Sequence, residues 1–452
     1  MTQRVNQPAE RPGNQTAAEL KERVRREIGQ FRPEAEKLGA EFFAIPETGF
    51  HEERTEQKIC ACLDEWQIPY TNHIARHGVN CTLKGVRPGY HVAVLADIDA
   101  LLVQKGDRSL PLHSCGHSIQ TTVLLNLIRG LTRSRIMEEI PGKVSFIFTP
   151  AEEFIELEER KRLRAQGIIS HFSGKQQMIA EGLFDDIDAV LSCHVMNPDP
   201  ARPELLFDLG SSLAGFVHKR IEFTGRDAHS GAVPHLGRNA LHGASLSLTA
   251  VQMLKDTFPP EAHVRLYPIL SEGGGVTVNT ICSRAVLETY LRTQDETSLR
   301  DISARLDQLF TSCARALELG CTVTTSPGYL PLSQEPRLAA VVADNMTRYC
   351  DESRILRNVI SGASGDIGDI STILPTIQFG FTGIEGHVHS ADFVIRDTVH
   401  VYETTAMLLA DTITDLLLRE ELQVRYPDKL ERKERYINTW LAEQVSLKQV
   451  RV

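Results

Sequence analysis

Three stretches of the chain are apolar at nearly every position and end in charge. Residues 91–98 run into Asp97-Ile98-Asp99, residues 143–148 into Pro150-Ala151-Glu152-Glu153, and residues 189–193 into His194. Continuous apolar runs of this length are the pattern of strands buried on both faces of a parallel sheet. Helical periodicity precedes them over 19–36 and 55–66, with a turn at Pro46-Glu47-Thr48-Gly49 and a further strand over 78–83, and lies between them, as over 118–131. Strands alternating with helices predict an α/β domain with a mainly parallel central sheet. Ligands of such sheets collect beyond the carboxyl ends of the strands, where Asp97/Asp99, Glu152/Glu153 and His194 fall.

From residue 216 the pattern changes. Strands are expected over 216–223, 263–270, 285–293 and 321–325, and helices over 239–254 and 298–319. This β-α-β-β-α-β order is that of a ferredoxin-like α+β unit. Helix and strand then alternate again: 338–350 helical, 375–380 extended, 398–418 helical. The expected organisation is a lead-in over 1–16, the first part of the larger α/β domain over 17–214, an inserted smaller domain over 215–330, and the second part of the larger domain with a charged, helical tail over 331–452. Residues 154–173 carry Glu156, Glu158, Glu159, Arg160, Lys161, Arg162 and Arg164 directly after the double Glu. They read as a helix with a solvated face, lying on the surface or covering a site.

Composition narrows the function. The 452 residues are 42% apolar and 24% charged, as in an ordinary globular protein, and the net charge of −10 argues against a nucleic-acid or acidic-membrane binder. No apolar run approaches a membrane span, and the N-terminal stretch lacks a secretory pattern. Nine scattered cysteines, an odd number without framework spacing, favour a reducing compartment, the cytoplasm.

The chemistry gathers around His113-Ser114-Cys115-Gly116-His117, a loop that follows a strand and opens a helix. Thiolate and imidazole two residues apart suit zinc and its neighbours. Further candidates are Glu152/Glu153, His194 and the pair His387/His389. Such a set could hold one or two divalent cations and leave positions open for water and substrate. Of two adjacent carboxylates, one can bind metal while the other serves as a base.

The ordered set Pro46-Glu47, Glu53, Ala96-Asp97-Ile98-Asp99, the Cys115-Gly116-His117 loop, Ala151-Glu152-Glu153, His194, Gly225, His229, Pro234-His235, Asn239-Ala240 and His389-Ser390 resembles the metallo-aminoacylase and carboxypeptidase family. These are zinc-peptidase-like amidohydrolases, and the branch resembled contains hippurate hydrolase, indole-acetyl-amino-acid hydrolases and p-aminobenzoyl-glutamate hydrolase subunits. The resemblance implies a zinc-peptidase-like catalytic domain with a lid that forms a homodimer. It implies Zn or Mn on Cys115, His117, Glu153, His194 and His389, with Glu152 as base and acid and Asp99 orienting a ligand. His229 would serve as an oxyanion donor, and Asn279, Arg292 and His235 as substrate contacts. The implied reaction is hydrolysis of N-acyl or N-aroyl amino acids; dipeptide and ureido substrates, or a silent partner subunit, are the alternatives. The chain departs from the branch at Ser118, where Asp is usual, at Asn279-Thr280-Ile281-Cys282, in the length of 154–173, and in the Gly-rich stretch 361–371.

Overall fold

The computed structural model describes residues 16–273, 277–442 and 446–450. The expected lead-in therefore lies outside the described residues except for Thr16. Thr16 caps the first helix, Ala17–Phe43, through a capping box with Glu19. That helix extends past the expected 36 through an internal Pro33 and lies against the helix His117–Arg133. Where they meet, Gly130 faces Ile28: a Cβ there would come within 2.4 Å of Ile28 Cγ1.

The larger sheet has eight strands. Across it they run Tyr70–Ile74, Gly78–Lys84, Lys143–Thr149, His91–Asp97, Ala189–Val195, Thr376–Phe381, Phe207–Leu209 and Ile355–Arg357. The four central strands, from Lys143–Thr149 to Thr376–Phe381, are parallel, and antiparallel neighbours flank them. Every residue of His91–Asp97 is buried, as its unbroken apolar run requires. A hairpin that the pattern did not announce, Leu101–Lys105 with Arg108–Leu112, rises from the end of this strand. The expected single strand over 263–270 is broken into Arg265–Leu266 and Ile269–Gly273. Pro268 stands between them and has no N–H to give to a ladder.

The smaller sheet is antiparallel and lies in the separate, inserted unit. Its order places Arg284–Thr293 and Gly320–Pro327 on either side of Gly215–Thr224, with Arg265–Leu266 and Ile269–Gly273 at the outer edge. The helices Ala240–Lys255 and Glu296–Ala316 pack on this sheet, which is the ferredoxin-like arrangement. The chain enters and leaves the unit side by side: Phe216 N–H donates to the Tyr329 carbonyl at 2.8 Å and Gly328 N–H to the Phe216 carbonyl at 3.1 Å. The tail forms the helix Lys429–Tyr436 and then returns to this unit. Ser446–Val450 pairs with Gly320–Pro327, so the last strand joins the smaller sheet rather than the larger one. No described helix is long and apolar enough to cross a membrane.

Gly39 shows how closely the first helix is seated. A Cβ at this position would lie 2.2 Å from Tyr402 Oη. Overpacking of this kind costs on the order of 1–3 kcal/mol. Gly39→Ala is therefore expected to lower the unfolding free energy by about that amount in a urea titration.

Candidate active site

Asp99 is the joint on which the site is hung. It follows the His91–Asp97 strand and is fully buried. Its carbonyl and Oδ1 accept from His117 Nδ1 at 3.0 and 2.9 Å, and its Oδ2 accepts the Glu153 backbone N–H at 2.9 Å. One carboxylate thus sets both an imidazole and the backbone of the double Glu. With Nδ1 held by Asp99, the His117 ring directs Nε2 toward Glu152, whose Oε2 lies 3.9 Å away.

The loop that precedes His117 needs its glycine. Gly116 has φ +83°, and a Cβ there would meet Val195 Cγ1 at 2.4 Å. The tight approach puts Cys115 Sγ 3.5 Å from His194 Nε2 and 3.2 Å from His389 Nε2. The other ring nitrogen of His194 donates to the Val195 carbonyl at 2.7 Å. His389, at φ +67°, is held by its N–H on the Ser114 carbonyl at 2.8 Å, and its Nε2 lies 3.5 Å from Glu153 Oε1. His387 turns away: it is exposed, and its ring lies 3.6 Å from the Asp392 carboxylate.

Ligand-type atoms of Cys115, His117 and His194 lie within 4.8 Å of one another; so do those of Cys115, Glu153 and His389, and those of His117, Glu152 and Glu153. Two of these atoms, His117 Nε2 and Glu153 Oε1, are buried without a hydrogen-bond partner. Orphaned polar atoms are costly. Here they face a shared space lined by sulfur, imidazole nitrogen and carboxylate oxygen, a donor set that fits divalent cations.

Electrostatics separate the two glutamates. Against burial, His389 and His117 pull the Glu153 carboxyl down to about 2. Burial, with Glu153 and Asp366 beside it, holds the Glu152 carboxyl well above its ordinary range. Glu152 Oε2 is 3.9 Å from His117 Nε2 and faces a cavity of about 760 Å³. Burial and the Glu153 carboxylate push the Cys115 thiol up, and burial beside His117 brings His194 down to about 4.

Residue-type reasoning passed over several supports. Lys175 is fully buried and donates to both Asp97 and Asp366. Asp97 also accepts from Thr149 Oγ1, and Asp366 from Ser173 Oγ at 2.9 Å. Against burial, Lys175 holds the Asp97 carboxyl low, while burial lifts Asp366 to about 6. The stretch 154–173, expected as one helix, is helical only over Leu157–Ala165. It is anchored by Arg160, a buried guanidinium that donates to the Glu153 and Phe172 carbonyls and lies over the rings of Phe50 and Phe154. Phe154 and Phe172 join Phe216 and Tyr329 in an aromatic cluster, and Phe154, Phe216 and Tyr329 line the cavity. The charged excursion is thus a wall of the site rather than a detached surface helix. The Tyr329 hydroxyl donates to the Glu152 carbonyl. Glu52, also buried, accepts the Ala151 N–H at 2.7 Å, and burial and Asp99 push its carboxyl to about 8.

Of the predicted residues, Cys115, Glu152, Glu153, His194, His389 and Arg292 line the cavity, with His117 and Asp99 packed directly behind. Arg292 reaches it from the smaller sheet, half-buried, its Nε without a partner. His229, His235 and Asn279 do not join it. They are exposed on the inserted unit, where Ser230 N–H donates to the Asn279 carbonyl at 2.8 Å.

Residues 93–415 match the sequence profile of peptidase family M20/M25/M40. The chain belongs to this family. It is a hydrolase of amide bonds. Among its relatives is the N-acetyl-L-cysteine deacetylase of Bacillus subtilis, 26% identical over 380 residues, which are 80% of this chain and 85% of the relative. Another is the Xaa-Arg dipeptidase of Mus musculus, 26% identical over 465 residues, 96% and 99% of the two chains. Solved structures share the fold. A dinuclear metal-binding peptidase of Bacillus subtilis superposes with a TM-score of 0.65 at 17% identity, covering 86% of this chain and 99% of that one. The aminobenzoyl-glutamate utilization protein of Klebsiella pneumoniae gives 0.61 at 18% identity, covering 87% and 97%.

Lys175→Met would strand two buried carboxylates without a cation. The expected loss is about 3–5 kcal/mol near neutral pH. Stranded carboxyls with raised folded-state pKa values bind protons more tightly folded than unfolded, so the loss should shrink as pH falls. Urea titrations of both proteins from pH 8 to pH 5 measure it.

Proposed function

We propose that this M20-family hydrolase is a metal-dependent amidohydrolase that cleaves N-acyl or N-aroyl amino acids, with Zn or Mn on Cys115, His117, Glu153, His194 and His389. The observation that carries this reading is the pair of orphaned atoms, His117 Nε2 and Glu153 Oε1, beside a protonatable Glu152 at the wall of one cavity. One or two divalent cations there would polarise the scissile carbonyl and acidify a water. Glu152 takes the proton from that water and returns it to the leaving nitrogen. Asp99 keeps His117 and the Glu153 backbone in register throughout. Arg292 offers a guanidinium to the substrate carboxylate, and the aromatic wall of Phe154, Phe216 and Tyr290 receives an acyl or aryl group.

The residues outside the cavity fit a homodimer through the lid. His229 Nδ1 accepts from the Gly231 and Ala232 N–H groups, both at 3.1 Å, so Nε2 carries the proton and can donate to an oxyanion in a second copy's site. Tyr267, Ile269 and Met253 are 73%, 62% and 68% exposed, and Ile269–Gly273 is a sheet edge. Apolar surface at an open edge favours pairing with another chain. A small-molecule substrate and nine free cysteines suit a cytoplasmic enzyme. A dipeptidase is the second reading, supported by the mouse relative that matches nearly the full length of both chains.

Glu152→Gln is expected to lower kcat on N-acetyl amino acids by about 10²–10⁴-fold while metal content, read by elemental analysis, stays at the wild-type level. Wild-type turnover in this variant would remove Glu152 as the base. Ile269→Glu is expected to shift sedimentation from dimer to monomer and to reduce turnover with it; a dimer that persists would place the interface elsewhere.

A further inference from the structure

One carboxylate in the cavity has no cation and no part in the chemistry described. Asp208 lies on the Phe207–Leu209 strand and lines the same cavity as Glu152. Its Oδ1 accepts from Ser211 Oγ at 2.5 Å. Among the described residues no Lys, Arg or His nitrogen lies within 4.0 Å of it. The other acids of the cavity have a place in the reading above: Asp97 and Asp366 pair with Lys175, Glu153 is a proposed metal ligand and Glu152 the proposed base.

Sheet register fixes where Asp208 stands. His194 pairs with Gly380, and Gly380 pairs with Asp208. Residues in register across neighbouring strands project from the same face. The flanking residues Cys193, Phe381, Phe207 and Leu209 belong to the buried core. His194 and Asp208 therefore stand in one row, two strand spacings apart, or about 10 Å. The middle member of the row is a glycine and adds no side chain of its own between them; the Met196 thioether lies beside it. A Cβ on Gly380 would lie 2.8 Å from Asp208 Cβ and 3.5 Å from Met196 Sδ, narrowing the floor that joins the two ends. The Ser211 loop is braced from behind, since Gln334 Nε2 donates to the Ser211 carbonyl at 2.6 Å.

We propose that Asp208 is a specificity residue that binds a cationic group, ammonium or guanidinium, on the amide substrate. This rests on the amidohydrolase reading above. The spacing defines the length of the substrate. With the scissile carbonyl near His194 and a charge-assisted hydrogen bond at Asp208, the cation lies roughly 7 Å from that carbonyl. An extended Lys or Arg side chain on the amino-acid side spans this distance. An ω-ammonium on a long acyl group does so as well, whereas an α-ammonium next to the carbonyl does not reach. The preferred substrates are thus amides with a positive charge about six or seven bonds from the scissile carbon.

The test compares the wild type with Asp208→Asn on matched substrates. Nα-acetyl-lysine and Nα-acetyl-norleucine differ by the charge on the amino-acid side. 6-Aminohexanoyl-alanine and hexanoyl-alanine differ by the charge on the acyl side. The wild type is expected to favour the cationic member of one pair by about tenfold to a hundredfold in kcat/KM, mostly through KM, and the pair that shows it identifies the side. In Asp208→Asn the ratio is expected to fall toward one, and in Asp208→Lys to invert in favour of Nα-acetyl-glutamate. Equal rates within both pairs, or a preference that survives in Asp208→Asn, would overturn the proposal and assign Asp208 to bracing the Ser211 loop. Calorimetry with 6-aminohexanoate and hexanoate reads the same contact without turnover. If no amide is cleaved and the wild type still binds 6-aminohexanoate the more tightly, with the difference lost in Asp208→Asn, the amidohydrolase reading fails and the cation site stands. If neither turnover nor binding distinguishes the charge, the cation site falls.

Discussion

Burying several carboxylates together is the constraint from which the rest of the active site follows. Asp97, Asp99, Glu152, Glu153 and Asp366 all lie in or against one cavity. Each must recover from the protein the stabilisation it loses with water. Lys175 serves Asp97 and Asp366, the Glu153 N–H and the His117 ring serve Asp99, and His389 stands beside Glu153. What remains unserved is a compact knot of sulfur, nitrogen and oxygen whose natural complement is positive charge. The strained backbone around it has the same origin. Gly116, Ala151 and His389 all take positive φ, because donors and acceptors must converge from different strand ends faster than an extended chain allows.

Much of this was legible in the sequence. A strand buried on both faces writes itself as an unbroken apolar run, so the ends of His91–Asp97, Lys143–Thr149 and Ala189–Val195, with the acids and histidine they carry, could be read directly. The alternation after residue 215 likewise foretold the antiparallel unit and its two helices. The supports were not legible. Lys175 meets partners 78 and 191 residues away, and a lysine at the start of a short helix looks like any solvated one. Arg160 sits in a run of seven charges, of which it alone is fully buried; nothing in composition distinguishes it. The hairpin over Leu101–Lys105 and Arg108–Leu112 and the final strand Ser446–Val450 are short, and their pairing partners define them.

The departures from the family pattern now have places. The longer segment after Glu153 contributes aromatic rings to the cavity wall and is tied by Arg160 to the carbonyl of Glu153 itself. The Gly-rich stretch near Asp366 closes another side: Ser361, Gly362 and Gly365 all line the cavity, and Asp366 binds Lys175 beneath it. Ser118, which replaces the usual acid, is buried in the first turn of its helix with its hydroxyl unpartnered. Two of the departures thus shape the cavity wall, while Cys115, His117, Glu153, His194 and His389 stay clustered together.

The paired strands by which the inserted unit leaves and rejoins the larger one also border the cavity. Hydrogen bonds between Phe216 and both Gly328 and Tyr329 close a two-stranded ribbon at this junction. Tyr329 sits on that ribbon and holds the Glu152 carbonyl through its hydroxyl, while Phe216 stands in the cavity wall. The junction of the inserted unit is therefore tied both to the cavity wall and to the backbone of Glu152. A substitution at Phe216 or Tyr329 would act on the junction between the units and on the cavity wall at once.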